Sequence, residues 1–481
     1  MPPQHPLELS GEAMRALGAR ALEIAVSHFE TLRDQPVAGP MPSRAETEAW
    51  LDTPLGEQGE DPEALLRLLT ERVFPRPIHS DHPRFYAFVP SPTNFVSVLG
   101  DLLVSAHNVF AGHWFASSTA SQVELTTTTW LTQLCGLPAT AGGIFLSGGS
   151  MANLCAVATA REVVLGGPDA TGVLYCSDQT HSSLSKGVRL IGFRREQKRT
   201  VPTDAGYRLD VAALARMVAE DRAAGRRPFC VVANGGTTNT GAVDPLPEVA
   251  ALCRREGLWL HVDGAYGAAA VLTDEGRAAL HGLDLADSIT LDPHKWLFQP
   301  YEMGCLLVRD AATLRTAFQL EADDHADYLE DVKRYIAREV NFYEHGPQLT
   351  RSFKALKLWL SLRTFGLAAF RQAVQVGLDM AREAERVLRA DGRWEIVTPA
   401  QLGIVTFRWR GDGTLSPAAV DAITPRTVDA MTRDGYALVM STALGGRPAL
   451  RLCPIHPGTR AEEIAETVRR LGVFSEAAAQ G

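Results

Sequence analysis

Lys295 stands in the pentapeptide DPHKW, Asp292 to Trp296, directly after the apolar run SITL. A lone lysine at a strand end is ordinarily a solvated surface charge. One flanked by His294 and Trp296 is a candidate for a partly desolvated amine, whose lowered pKa lets it form a Schiff base with a carbonyl. Asp263, in HVDGAYG, closes an earlier apolar run ahead of a Gly-Ala turn. Alone it reads as a cap or a structural acceptor, because a carboxylate at the inner end of a buried strand is costly unless a cation or donor meets it. Paired with Lys295, it fits the carboxylate that keeps the ring nitrogen of pyridoxal phosphate protonated, so that the ring can act as an electron sink.

FLSGGSMANL, Phe145 to Leu154, supplies a strand, a loop of small residues and a helix. Small residues let backbone N–H groups approach an anion, and the helix N-terminus adds a favourable dipole, which makes a phosphate seat. Most Gly-rich turns are plain strand-to-helix turns, but this one matches neither Gx4GK[ST] nor a full GxGxxG, so nucleotides fit it poorly. His181, in CSDQTHSSL, is either a satisfied structural histidine or a ring able to stack on an aromatic cofactor or titrate near neutrality. Thr238, in GGTTNTGAVDP, puts a hydroxyl beyond the strand FCVVAN, where it could touch a cofactor; the alternative is an ordinary polar loop.

The elements that must position these residues alternate. From about 76 to 310, short β-rich runs (GGIFLS, VLYCS, FCVVANGG, LWLHVDGAY, SITLD, GCLLVRD) are interleaved with helical stretches. That alternation implies an α/β fold, a mostly parallel sheet covered by helices, with ligands bound at the carboxyl ends of the strands. Ahead of it, Ser10 to Leu32 carries apolar residues at helical spacing with Ser10 as N-cap, and Asp61 to Val73 reads as a second helix begun by Asp-Pro. This forms an N-terminal helical arm over 1–75, with little core of its own. Helical character dominates from Arg351 to Ala390. Strand candidates EIVTP, GIVTFRWR, ALVMST and ALRLCPI and the closing helix RAEEIAETVRRLG then give a small C-terminal α+β domain over 366–481, leaving 76–365 as the large domain.

With 481 residues the chain has ample core, and a net charge of −9 argues against general attraction to nucleic acid or an anionic membrane. Seven scattered cysteines, never in CxxC, read as buried thiols of a reducing cytoplasm. The start MPPQHPLELSGEAM has neither a basic n-region nor an apolar h-region, and no run reaches membrane-spanning length, so secretion and membrane insertion are not expected.

Taken in order, SGGSMAN, SDQTHSS, GTTNTGAVD, HVDGAYG and DPHKW resemble the pyridoxal-phosphate-dependent amino-acid decarboxylases of the aromatic L-amino-acid and glutamate decarboxylase superfamily. The resemblance extends over about 10–475 and includes HPRFYAFVPSP and SFKALKLWLSLRTFG. It implies the fold-type I, transferase-like architecture and a homodimer with active sites at the subunit interface, the arm wrapping the partner. It also implies pyridoxal 5'-phosphate on Lys295, Asp263 at the pyridine nitrogen, and His181 stacked on the ring. Gly149 and Ser150 would hold the phosphate, while Thr238, Ala265 and His294 would line the cofactor. Asp292 stands where many members have Asn, and a carboxylate beside a phosphate needs a proton or a different contact.

The activity implied is a carboxy-lyase that converts an L-amino acid to its amine and carbon dioxide. The resemblance gives final protonation to a tyrosine on a loop, here Tyr328 in AFQLEADDHADYLED, with Tyr335 as substitute; Phe in that place accompanies aldehyde-forming chemistry. It gives substrate selection to Phe85–Thr93 and Phe110–Trp114. Phe88, Val89, Pro90 and Ser91 make a mostly apolar wall suited to an aromatic ring, and Phe110, Gly112 and Trp114 complete it, with Gly112 and His113 leaving it wider or wetter. Neither segment holds Arg or Lys, which disfavours an acidic substrate. Rival readings are an aminotransferase, an aldehyde synthase or a decarboxylating condensation enzyme on the same fold, a decarboxylase of acidic or diamino acids, and a non-catalytic relative that binds a ligand or partner.

Overall fold

The computed structural model describes residues 5, 7–75, 77–319, 339–411, 413 and 415–480. The chain opens with α1 (Gly11–Thr31), whose first turn is capped by the Ser10 hydroxyl accepting from the Ala13 N–H. Then come α2 (Arg44–Leu51), closed by a capping box between Ser43 and Glu46, and α3 (Pro62–Leu68), capped by Asp61 with proline in the first turn. None of the three helices has a buried residue. Met14 and Leu22 of α1 lie exposed, while Ile24, Val26 and Phe29 are half-buried.

After α4 (Phe95–His107) and α5 (Ser118–Leu134), strands and helices alternate: β1 (Gly142–Leu146), α6 (Gly149–Leu165), β2 (Gly172–Ser177), α7 (Ser182–Leu190), β3 (Lys198–Val201), α8 (Val211–Ala223), β4 (Arg227–Asn234), α9 (Leu246–Glu256), β5 (Trp259–Asp263), α10 (Asp274–Ala279), β6 (Ser288–Leu291) and β7 (Gly304–Val308), then α11 (Ala312–Phe318). The seven strands lie in the order β1-β7-β6-β5-β4-β2-β3. Neighbours run parallel except β7, which is antiparallel to both β1 and β6. Register aligns Asn234 with Asp263 and Asp263 with Thr290, so three polar residues meet at one carboxyl edge. The short edge strand β3, KRTV, was not expected; its partly exposed, charged sequence carries no strand-like apolar run.

The long helix α12 (Ala355–Asp391) is interrupted at Gly366, whose φ of 74° and ψ of 161° are non-helical. Beyond it, β8 (Trp394–Gln401), β9 (Ile404–Trp409), α13 (Pro417–Asp434), β10 (Met440–Leu444), β11 (Arg447–Leu452) and α14 (Ala461–Gln480) form an antiparallel sheet, β10-β11-β9-β8, with helices against it. The expected strand ALVMST is displaced toward its C-terminal end. Leu438 instead bridges Phe85, its amide donating to the Arg84 carbonyl and its carbonyl accepting from the Tyr86 amide. This joins the 84–91 segment to the second sheet. All seven cysteines are buried and free, and among the described residues no helix is long and apolar enough to cross a membrane.

Candidate active site

The DPHKW turn is fixed from both ends. The Asp292 N–H donates to the Ala265 carbonyl at 2.9 Å, and the Lys295 N–H donates to the Asp292 carbonyl at 3.0 Å. Trp296 anchors the turn from beneath, fully buried and stacked on Tyr266 with ring centroids 5.5 Å apart. The Lys295 amine is thereby held at the floor of a cavity of about 460 Å³, 24% exposed, with Nζ 2.9 Å from Asp292 Oδ2. Its pKa is raised, not lowered as expected from desolvation alone. Burial pulls it down, but the charge and hydrogen bond of Asp292, with help from Asp263 and Tyr301, outweigh that pull.

Asp263 ends β5 at the same cavity and is 7% exposed. Its Oδ2 accepts from the Asn153 amide at 2.7 Å, and its Oδ1 accepts from the Ala265 N–H at 3.1 Å. Asn153 is itself held. Its Oδ1 accepts from the Thr290 hydroxyl at 2.7 Å and pairs with His261 Nε2 at 3.0 Å. Burial lowers the His261 pKa to about 4 and keeps the ring neutral. With Nε2 as donor, Nδ1 accepts from the Ser288 hydroxyl at 2.9 Å, and Ser288 Oγ accepts from the Trp259 indole at 2.8 Å. Every donor along this buried chain meets an acceptor, which fixes the carboxylate's orientation. Reading the sequence missed Asn153, His261, Ser288 and Thr290. The signal was present: His261 lies two residues before Asp263 on one strand, hence on the same face, and Asn153 lies one helical turn after Gly149.

Opposite the lysine, α6 begins at Gly149 with no side-chain cap from Gly148. The Met151 and Ala152 N–H groups donate back to the Gly148 carbonyl at 3.0 Å, while those of Gly149 and Ser150, ahead of the first intrahelical bond, carry the positive end of the helix dipole. A Cβ on Gly149 would sit 2.7 Å from Asp292 Oδ2 and 3.1 Å from the Ala265 Cβ, and one on Gly148 would sit 3.3 Å from His294 Cε1. Only bare backbone fits this cradle. A flat ring bearing an aldehyde, a basic nitrogen and a phosphate suits these residues: an amine for the aldehyde, a carboxylate for the nitrogen, and an uncapped helix terminus for the phosphate. The cavity falls within the roughly 300–1,000 Å³ usual for such ligands.

His181, Thr238, Ala265, His294, Ser150, Phe88 and Val89 line this same cavity, with Asn153, Ser183, Asn234 and Glu302, which the sequence did not single out. His181 is the N-cap of α7, its Nδ1 accepting from the Ser183 N–H at 3.2 Å. His294, its pKa lowered chiefly by burial, donates from Nδ1 to the Met303 carbonyl at 2.7 Å. Of the expected substrate wall, Pro90, Ser91, Phe110, Gly112 and Trp114 do not line it. Pro90 and Ser91 are buried, and the Ser91 hydroxyl donates to the His294 carbonyl. Phe110 to Trp114 is tied elsewhere. Ala111 exchanges hydrogen bonds with Arg351, the Gly112 carbonyl accepts from the Tyr343 N–H, and the Trp114 N–H donates to Asn341. Tyr328 and Tyr335 lie outside the described residues.

A family model described as the pyridoxal-dependent decarboxylase conserved domain matches residues 45–410. An aromatic-L-amino-acid decarboxylase of Bacillus atrophaeus is 44% identical over 98% of this chain and 97% of its own length. The crystal structure of Oryza sativa TDC with PLP and tryptamine superposes with a TM-score of 0.91 at 28% identity, covering 99% of both chains. That of Rhodiola rosea 4-hydroxyphenylacetaldehyde synthase reaches 0.89 at 27% identity, covering 98% of this chain and 99% of that one.

Proposed function

The chain belongs to the pyridoxal-dependent decarboxylase family and is a fold-type I, pyridoxal-phosphate-dependent amino-acid carboxy-lyase; we propose that its substrate is an aromatic L-amino acid, released as the amine and carbon dioxide. The observation that carries this reading is the single cavity that sets the Lys295 amine, the Asp263 carboxylate and the uncapped start of α6 around one volume. The apolar faces of Phe88 and Val89 in the same cavity, and the name of the Bacillus relative, support an aromatic side chain.

In this reading Lys295 Nζ would hold the cofactor through its aldehyde, and Gly149 and Ser150 would offer N–H groups to its phosphate. Asp263, steadied by Asn153, keeps a proton on the pyridine nitrogen. Bound pyridoxal phosphate supplies an electron sink for the pair left when the substrate's carboxylate departs as carbon dioxide. His181 would stack on the cofactor ring, Thr238, Ala265 and His294 would border it, and Asp292 contacts Lys295. Tyr328 returns the proton to the substrate Cα. Residues 1–75 act as a dimer-wrapping arm, 76–365 as the cofactor-binding domain and 366–481 as the small domain. The working form is a cytoplasmic homodimer, with Pro90, Ser91, Phe110, Gly112 and Trp114 completing the substrate wall at the subunit interface.

The test is a panel of aromatic, acidic and diamino acids with amine, carbon dioxide, ammonia and peroxide all followed. Amine and carbon dioxide from an aromatic substrate alone are expected; preferred turnover of glutamate or aspartate would overturn the substrate reading. The Rhodiola neighbour motivates a second arm, in which Tyr328→Phe should divert product from amine toward aldehyde, with ammonia and peroxide. An unchanged amine yield would move the acid elsewhere.

A further inference from the structure

Asp292 is an anion buried where an anionic cofactor group also belongs. Its side chain is 2% exposed, its Oδ2 lies 2.9 Å from Lys295 Nζ, and among the described residues its Oδ1 has no hydrogen-bond partner. The other groups around the amine are farther or weaker in effect. They are His294 on the same turn, Asp263 at the end of β5, Tyr301 and Glu302 before β7, His181 at the start of α7, and Cys453 after β11. An ion pair this close, with its carboxylate partner only 2% exposed, keeps its proton on the amine, since separating the charge leaves a buried carboxylate uncompensated.

We propose that Asp292 is a latch on Lys295, holding the amine as an ammonium in the cofactor-free site and so restraining its reaction with carbonyl compounds, the cofactor included. The inference rests on Lys295 being the attachment point. The ammonium first passes one proton to solvent water. The freed lone pair on Nζ then bonds to the aldehyde carbon as the carbonyl π pair moves onto oxygen. The two remaining amine protons leave with that oxygen as water, giving the C=N link. No electron changes hands, and Asp292 is unaltered at the end. Its part is to set how rarely the first proton leaves.

An opposite charge at contact distance moves a pKa by roughly 1–3 units. Asp292→Asn keeps the shape, removes the charge and lets desolvation prevail. Attachment at pH 7 should therefore be roughly 10- to 1,000-fold faster in the variant. The experiment mixes full-length protein, freed of cofactor, with pyridoxal 5'-phosphate between pH 6.5 and 9, following the absorbance of the bound chromophore. Borohydride trapping and peptide mass locate the adduct. Both proteins share the same buffers, so the cofactor's own ionisations cancel between them. The wild-type rate should climb about tenfold per pH unit, while the variant starts faster and levels off at lower pH. An Asp292→Asn rate equal to or below wild type with a parallel profile would overturn the latch. So would a wild-type rate independent of pH, which needs no variant to fold. An adduct missing from Lys295 in both proteins would overturn the attachment assignment itself, a failure distinct from labelled Lys295 with unchanged rates.

Discussion

At 2.7 Å the Asn153 amide donates to one oxygen of Asp263, and the neutral His261 and the Thr290 hydroxyl hold Asn153 in that orientation. Two substitutions separate charge from orientation. Asp263→Ala removes the partner of the pyridine proton and should lower kcat by about 10²- to 10³-fold, the worth of one preorganised electrostatic contact. Asn153→Ala leaves the carboxylate in place but frees it to turn and strands two buried donors, at a cost of about 1–3 kcal/mol in stability. Its kcat should fall between wild type and Asp263→Ala. Steady-state kinetics check both, and near-normal turnover of Asp263→Ala would contradict its role. Lys295 and Asp263 were legible in the sequence because their types are costly where they stand. Asn153 and His261 were not, because a polar side chain inside a motif looks the same whether it faces solvent or a buried carboxylate. The direction of the Lys295 pKa was equally hidden, since it depends on the Asp292 rotamer.

The site is assembled by elements that meet without side chains. Gly304 opens β7 against the loop ahead of α6, and a Cβ there would lie 2.4 Å from the Gly148 Cα and carbonyl carbon. Backbone, not a flexible side chain, would have to move. Gly304→Ala should therefore shift the start of α6, cost about 1–3 kcal/mol in stability and weaken cofactor affinity more than it alters turnover by the loaded enzyme. Denaturant unfolding and cofactor titration check this, and unchanged affinity would contradict the reading of α6 as the phosphate seat. The alternation of apolar runs and helices announced most of the large sheet because its inner strands are buried on both faces, as in VLYCS and FCVVAN. β3 escaped because KRTV is a short edge strand with exposed side chains. The shift of β10 escaped because Leu438 takes its hydrogen bonds from Arg84 and Tyr86 and packs with Phe85 and Ala87, although Ala437 and Val439 pack into the core of the small sheet. Burial was legible there, but the partner was not.

Across the whole molecule, buried histidines tie stability to pH. His82, His261 and His345 are each depressed to about 4 and His456 to about 3, chiefly by burial. Their unfolded pKa is about 6.5, so the unfolded chain binds more protons between pH 6.5 and 4, and stability falls as pH drops through that window. Asp244, raised to about 6 by burial, acts in the opposite sense, gaining its proton in the folded state first. The balance of these five groups is a loss of about 6 kcal/mol between pH 7 and pH 5; urea unfolding at pH 7, 6 and 5 measures it, and a flat profile would contradict the neutral burial of these rings. The exposed apolar residues of α1, Met14 and Leu22 among them, belong to this scale too, since the helix has no buried residue, and sequence periodicity showed the stripe without showing what covers it. The account as a whole stands on one amine. Borohydride reduction of the cofactor-loaded protein, followed by digestion and peptide mass measurement, should place a reduced pyridoxyl phosphate on Lys295, and Lys295→Ala should lose both the label and the visible absorbance. A label on a different lysine, or an undiminished absorbance in Lys295→Ala, would contradict it.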